Sequence, residues 1–405
     1  MKAARAGLAA CLAAAALLAL LAAPAGAAVR WIVHGRGFGH GVGLSAYGAY
    51  GYAKNGKGYR FILGHYYRGT SLGTLSKPRI VRVLLSTSSG DVGFSGATSA
   101  CRTSLDPKRS YEAHLSGGTV VLRSSGGKRL ARCGGLLRAA GNGTISIAGL
   151  GRYRGALETV PEGSSLNVVN ALTVEQYVKG VIPNESPPSW PMAELKAQAV
   201  ISRSFALTAG RDGNGFDLYS DTRSQVYKGL ESEYARTNQA AEETKGQVVM
   251  YGGQIAETLF SACSGGKTES IKNVFGSPLP YLVGVPDPYD YYCPLHTWTL
   301  RFTGPEISSL LGAYLKGRLK KVVVTKTGYS PRIQEATLYG TGGVSTVTGE
   351  QLEVALSGYS TWMTFQKVVT GKRGGSGGGA GGGGASGGGG GASGGASGRT
   401  GGASG

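Results

Sequence analysis

The residues from Val168 to Pro191 constrain the fold of this chain more than any other stretch. Residues 168–174 are mostly apolar, which is the composition of a buried strand, and a short amphipathic segment follows them. A single carboxylate, Glu185, then stands among prolines, each of which fixes φ and removes a backbone donor. We therefore predict a stiff loop that holds Glu185 just before the next helix.

The first 27 residues have the composition of a secretory signal peptide. Lys2 and Arg5 give a positive start, residues 8–23 are an unbroken apolar run, and residues 24–27 are small, as a signal peptidase requires. A transmembrane anchor is the competing interpretation, because the run approaches the length that spans a bilayer. The alanine content and the small-residue exit favour cleavage, so we predict a secreted or cell-envelope protein.

Secretion changes how the cysteines are interpreted. Outside the signal peptide four remain, an even set whose order pairs Cys101 with Cys133 and Cys263 with Cys293. A metal is the alternative for the second pair, because His296 follows Cys293 at a ligand-like spacing. We predict two disulfides and no cofactor, and keep a structural zinc at Cys263, Cys293 and His296 as the minority alternative.

The net charge of +19, from 42 basic and 23 acidic residues, suits an anionic partner. Nucleic acid does not fit a secreted chain with no recognisable nucleic-acid module, whereas an anionic cell envelope does. Solubility alone also explains the charge. The sequence does not predict the oligomeric state.

Composition and turn residues divide the chain into segments. Short β-rich runs separated by Gly, Ser and Asn indicate antiparallel strands, and a chain of only small residues cannot bury a core. The fold class is therefore α+β, a mixed α/β core with an inserted or preceding small antiparallel β-module. The segments are a signal peptide at 1–27, a glycine-punctuated segment around His40 at 28–75, the β-module at 76–165, the α+β domain at 166–370 and a disordered Gly/Ser/Ala-rich tail at 371–405.

Capping and periodicity signals predict individual elements. Ser45 and Asn55 bracket one short helix, and Ser189 with Pro191 opens another. Further predicted elements are helices at 58–67 and 234–245 and from Thr348, and strands at 247–250, 321–326 and 333–338.

Glu185 is the first candidate for chemistry. Its neighbours are apolar, and desolvation raises the pKa of a carboxyl, which makes it a competent acid near neutral pH. The alternative is a glutamate that only interacts with the dipole of the following helix.

Two further clusters suit a sugar cleft. Residues 220–229 mix hydrogen-bonding side chains, and Asp221 is a candidate second carboxylate, although composition alone slightly favours a turn capped by Asp221. Residues 260–269 contain the pair Gly265 and Gly266, which a disulfide-anchored turn also explains. No His, Cys or Ser constellation indicates a nucleophilic triad.

The motifs together resemble the SpoIID/LytB domain, the family of the stage II sporulation protein D and the amidase enhancer. The resemblance implies a peptidoglycan lytic transglycosylase whose catalytic acid is Glu185, with the glycan held by Gln225, Tyr227, Asp221, Gly265, Gly266 and His40. The matching stretches are residues 166–170, 175–185, 189–191, 195–200, 221–229, 264–269 and 280–282.

The family's glycine-histidine-glycine segment appears at residues 39–45 and 65–70, before the main domain, whereas in relatives it typically follows. A permuted order is tolerated when the termini of a domain lie close together, so we expect residues 28–75 to pack on the core near the cleft. A separate docking module is the alternative. Some relatives hold a structural zinc, but Ser261 stands where one of its histidines can occur.

The implied reaction cleaves the MurNAc–GlcNAc β-1,4 bond with a single Glu and leaves a 1,6-anhydro end, because the 6-hydroxyl of MurNAc is the nucleophile. The expected partner is the peptidoglycan glycan strand, with an amidase as a further one. The rival function is a non-catalytic wall-binding enhancer of a separate amidase. A third alternative is muramidase hydrolysis with Asp221 as the second carboxylate.

Overall fold

The computed structural model describes residues 28–210 and 213–370. The predicted signal peptide and glycine-rich tail lie outside the described residues. The α-helices are α1 Ala46–Lys54, α2 Tyr59–Tyr66, α3 Val174–Glu185, α4 Met192–Thr208, α5 Ala235–Glu243, α6 Ile271–Phe275, α7 Gly304–Leu310 and α8 Gly349–Leu356, with 3₁₀ turns at Leu230–Ser232 and Asp290–Tyr292.

Residues 71–173 contain only strands, whereas helices and strands are mixed before and after them, and the predicted α+β class is confirmed. In chain order they are β1 Ala28–Arg36, β2 Leu44–Ser45, β3 Ser71–Thr74, β4 Ile80–Ser88, β5 Val92–Ser95, β6 Ser99–Ala100, β7 Thr103–Ser104, β8 Ser110–Ser116, β9 Thr119–Ser124, β10 Arg129–Gly134, β11 Leu137–Ala140, β12 Ile145–Ile147, β13 Gly151–Tyr153, β14 Ala156–Glu162, β15 Ser165–Thr173, β16 Leu218–Tyr219, β17 Gln247–Tyr251, β18 Gln254–Ile255, β19 Phe260–Ser261, β20 Thr297–Thr303, β21 Leu319–Thr327, β22 Ile333–Gly340, β23 Val344–Thr348 and β24 Met363–Thr370.

The sheet that precedes the helix carrying Glu185 has seven strands. Its order is β16-β4-β15-β14-β11-β6-β7, and β15 pairs antiparallel with both β4 and β14. Seven consecutive residues of β15, Leu166 to Leu172, are buried, as expected for a strand covered on both faces. The β-rich residues 76–165 supply most of this sheet and all of a six-stranded one, so β15 joins them directly to the helices that follow.

The glycine-punctuated segment is built into the rest of the fold. Strand β1 pairs with β20 and shares its sheet with β24, β2 runs parallel to β19, and β3 pairs with β17. Isolated bridges join Phe38 to Cys263 and Val42 to Glu269. These contacts hold the loop around His40 against residues 260–269.

Most local predictions hold, and two helix ends differ. Ser45 caps α1 through its hydroxyl, and Asn55 ends it. Glu185 lies in the last turn of α3 rather than in a loop, because Pro183 is accommodated inside the helix and Ser186 N–H still bonds Ile182 O at 2.8 Å. Pro191, not Ser189, stands at the N-cap of α4.

Both predicted disulfides are confirmed, Cys101–Cys133 and Cys263–Cys293, with Cα atoms 5.2 and 6.2 Å apart. Within residues 28–210 and 213–370, no helix has the length and hydropathy that a membrane crossing requires.

Candidate active site

A cavity of about 780 Å³ opens beside the end of α3. Its lining includes Glu185, Pro187 and Trp190, residues 222–224, and Glu257 with residues 259–262. The loop around His40, the C-terminal end of α4, the start of α1 and the end of α6 also contribute to it. The cavity therefore collects residues from distant parts of the chain.

The position of Glu185 follows from how α3 begins and ends. The side chain of Thr173, the last residue of β15, accepts a hydrogen bond from Gln176 N–H, and the Gln176 side-chain oxygen accepts one from Thr173 N–H, which completes a capping box. The helix thus starts at a fixed point of the buried sheet, and it ends on Glu185.

The Glu185 carboxyl is held by one backbone contact. Its Oε1 accepts a hydrogen bond from Val226 N–H at 2.8 Å, and among the described residues its other oxygen has no hydrogen-bond partner. Burial raises the pKa of Glu185, and the Val226 hydrogen bond opposes that rise. One oxygen is therefore anchored, while the other is available on a wall of the cavity.

Gln225 and Tyr227 support this anchor instead of lining the cavity. Both side chains are buried, Gln225 accepts from the Tyr177 hydroxyl at 3.1 Å, and the Tyr227 hydroxyl donates to Asn170 Oδ1 at 2.7 Å. The expected contact of these two residues with glycan is corrected, because they are tied into the interior and fix Val226 between them.

Asp221 lies in an exposed turn. It pairs with Arg223 at 2.7 Å and accepts from Arg223 N–H, and these contacts hold the pKa of Asp221 below its usual range. Thr222, Arg223 and Ser224 line the cavity, whereas Asp221 does not. Asp221 therefore has the geometry of a turn residue. It does not lie in the cavity, where a second carboxylate would have to be.

His40 lines the cavity as a neutral imidazole. Its Nδ1 accepts a hydrogen bond from Val42 N–H at 3.0 Å, which assigns the ring proton to Nε2. Burial, together with the nearby Arg332 charge, lowers the pKa of His40 to about 4. The Phe275 ring packs on the imidazole edge-to-face, with centroids 5.5 Å apart.

Gly265 and Gly266 lie outside the lining of the cavity. Ser264 N–H and Gly265 N–H donate to the Asp290 carboxylate at 2.8 Å each, and both glycines have positive φ. The carboxylate of Asp290 therefore occupies the concavity that these backbone N–H groups form. The two glycines thus form part of a backbone turn, and their expected glycan contact stays a prediction.

The residues considered for zinc do not fit a metal. Cys263 and Cys293 are bonded to each other, and the ring nitrogens of His296 contact Asp290 and Arg36 at 2.8 and 2.6 Å. In the part of the chain that the structure describes, no group of three or more His, Cys, Asp or Glu could hold a metal ion.

The sequence analysis missed two contributions to the cavity. One is Glu257, a second carboxylate on its wall, and the other is the aromatic set that includes Phe38, Tyr47 and Trp190. Tyr47 and Trp190 contact each other, with centroids 4.9 Å apart. No local motif marks Glu257, whereas aromatic residues beside a candidate acid were a signal that sugar binding could have used.

Comparisons with known proteins find similarity over part of this chain. The family model SpoIID, described as stage II sporulation protein, matches residues 162–251, which include Glu185 and Val226 but not Glu257. An uncharacterized protein of Brachyspira hyodysenteriae is 43% identical over 136 residues, 33% of this chain and 37% of that protein.

Two relatives from Bacillus subtilis have descriptive names. The amidase enhancer is 33% identical over 243 residues, 53% of this chain and 31% of that protein. The stage II sporulation protein D is 31% identical over 186 residues, 42% of this chain and 54% of that protein. The chain spans between about a third and about half of the length of these three relatives.

Proposed function

We propose that this chain, whose residues 162–251 match the SpoIID family model, is a peptidoglycan lytic transglycosylase with Glu185 as its acid and base. Its substrate is the glycan strand of the bacterial cell wall, cleaved at the MurNAc–GlcNAc β-1,4 bond. Secretion delivers it to that substrate.

The observation that carries the proposal is the setting of Glu185. Burial raises its pKa, so the carboxyl keeps its proton to a higher pH than an exposed glutamic acid does. The Val226 N–H holds Oε1, which leaves the second oxygen to meet the substrate in the cavity. A positioned acid with a raised pKa is what protonation of a glycosidic oxygen requires.

One carboxyl is sufficient for the reaction. Glu185 donates its proton to the leaving glycosidic oxygen as the bond to C1 of MurNAc breaks. The resulting carboxylate takes the proton of the MurNAc 6-hydroxyl, whose oxygen bonds to C1 and closes the 1,6-anhydro ring. No water and no enzyme nucleophile enter the product, so the position of Asp221 outside the cavity is no obstacle.

Mass spectrometry of the soluble products tests this function. Signal-free protein and its Glu185→Gln variant are incubated with intact and with peptide-stripped peptidoglycan. We expect anhydro products from the wild type and a loss of roughly 10²- to 10⁴-fold in the variant, because the general acid is gone. Glu243→Gln is the matched control: Glu243 pairs with Lys196 and does not line the cavity, so we expect this variant to keep full activity.

Other products would contradict the proposal in different ways. Reducing ends in place of anhydro ends indicate hydrolysis, and equal activity of wild type and Glu185→Gln removes Glu185 from the chemistry.

A non-catalytic enhancer of a separate amidase is the second candidate. The alignment with the amidase enhancer covers 53% of this chain, and the net charge of +19 suits binding to an anionic wall. No products from wild type or variant, with retention on sedimented walls and faster turnover by an added amidase, would favour this function.

A further inference from the structure

The cavity contains a carboxylate that the proposed chemistry does not use. Glu257 follows strand β18 and leads into β19, so it reaches the cavity from a different element than Glu185 does. It also lies beyond the residues that the family model matches.

The backbone around Glu257 is fixed. Its N–H donates to the Tyr281 hydroxyl at 3.0 Å, and on either side Ala256 N–H bonds Val249 O at 2.9 Å and the Thr258 hydroxyl bonds Ile201 O at 2.8 Å. These contacts tie the segment to β17 and α4. The carboxylate is therefore presented to the cavity from a rigid support.

Within the described residues, the Glu257 carboxylate has neither a hydrogen-bond donor nor an ion-pair partner. Two nearby groups that line the same cavity do not supply one: Arg223 is paired with Asp221 at 2.7 Å, and His40 is a neutral imidazole. Partial burial raises the pKa of Glu257. An acceptor that is half-buried without a donor gains a hydrogen bond when a ligand supplies one.

The proposed substrate carries a suitable donor on every sugar. Both sugars of peptidoglycan have a 2-acetamido group, whose N–H can donate and whose carbonyl oxygen can reach C1 of its own ring. Resting on the proposed function, we propose that Glu257 accepts the acetamido N–H of the sugar at the scissile bond and orients its carbonyl oxygen towards C1.

This contact assigns a role to each carboxyl. Glu185 gives its proton to the leaving oxygen while the acetamido oxygen bonds to C1 and the glycosidic bond breaks. Positive charge then develops on the acetamido group, and the Glu257 carboxylate stabilises it through the N–H. Next, the 6-hydroxyl oxygen bonds to C1 and the bond from C1 to the acetamido oxygen breaks. The proton of the 6-hydroxyl passes to the Glu185 carboxylate.

Steady-state kinetics of Glu257→Gln and Glu257→Ala on peptidoglycan measure the catalytic part. We expect kcat to fall roughly 10²- to 10³-fold in Glu257→Ala, and less in Glu257→Gln, which keeps an acceptor but loses the charge. Glu243→Gln again serves as control. An unchanged kcat in Glu257→Ala, with the fold verified by thermal unfolding, overturns the assignment.

Binding separates this inference from the proposed function. In the Glu185→Gln background, affinities for an N-acetylglucosamine tetramer and for a glucose tetramer of the same β-1,4 linkage are compared with and without Glu257→Ala. We expect the preference for the acetamido sugar to disappear when Glu257 is replaced. A preference that persists overturns the inference even if the wild type is an active transglycosylase, and a preference that disappears supports the contact even if no anhydro product forms.

Discussion

At the scale of single residues, Gly41 shows why a glycine is required next to His40. Gly41 has φ of +73°, and a Cβ there would collide with the buried guanidinium of Arg332. Arg332 donates from Nη2 to Ser264 O at 3.1 Å and lies close to Glu269, so it cannot move aside without losing contacts. The glycine therefore lets a buried cation lie directly under the His40 loop.

Gly41→Ala tests this close approach. We expect it to lower the free energy of unfolding by about 2–5 kcal/mol. The cost of holding an alanine at positive φ adds to the cost of the clash between its Cβ and Arg332. Gly56→Ala is the control, since Gly56 has φ of +77° with nothing within 4 Å of its added Cβ, and it should cost only about 1 kcal/mol. Urea denaturation measures the unfolding free energy of both variants. An equal decrease in the two would mean that the Arg332 side chain moves away from the added Cβ at little cost.

At the scale of elements, the site is a junction of two chain segments. Strand β15 and the capping box of α3 place Glu185, while the Phe38–Cys263 bridge holds the His40 loop. The backbone groups of Phe38 and Cys263 exchange hydrogen bonds of 3.1 and 3.2 Å. The second disulfide is thus connected to the cavity, whereas the first lies in the β-rich part.

Replacing each disulfide by an alanine pair separates stability from function. The cysteines are 32 and 30 positions apart, so each loss should lower the free energy of unfolding by about 2–4 kcal/mol. Only the Cys263–Cys293 variant should also lose activity, by roughly 10-fold or more, because the His40 loop shifts. Thermal unfolding and product formation measure the two effects, and an equal loss of activity in both variants would contradict the link.

At the scale of the whole molecule, buried carboxyls make stability depend on pH. Glu194 on α4 is fully buried and accepts from the Ser186 hydroxyl at 2.7 Å, and burial raises its pKa to about 8. Burial also raises the pKa of Asp287 to about 7. In the folded state both carboxyls keep protons that the unfolded chain releases, so stability falls as pH rises through this window.

Glu194→Gln should remove part of that dependence. The unfolding temperature of the wild type should fall between about pH 4.5 and pH 8, since the folded state binds more protons there than the unfolded state. The variant keeps an uncharged side chain of the same shape, so its unfolding temperature should fall less. Parallel slopes for the two proteins would show that Glu194 is ionised in the folded state.

The sequence by itself determined what depends on neighbours along the chain. The Ser45 cap of α1, the Thr348 capping box of α8 and the buried run of β15 follow from local chemistry and periodicity. The apolar setting of Glu185 was predictable for the same reason, and so was the order of the disulfides, because each joins cysteines that are consecutive in the chain.

Only the tertiary structure decided which residues meet in the cavity. It buried Gln225 and Tyr227, left Asp221 outside, and brought Glu257 to the cavity that Glu185 lines. A hydrogen-bonding side chain has the same letter in the sequence whether it faces a ligand or the core. The difference is made by strand pairings and helix contacts over long separations, which no local pattern encodes.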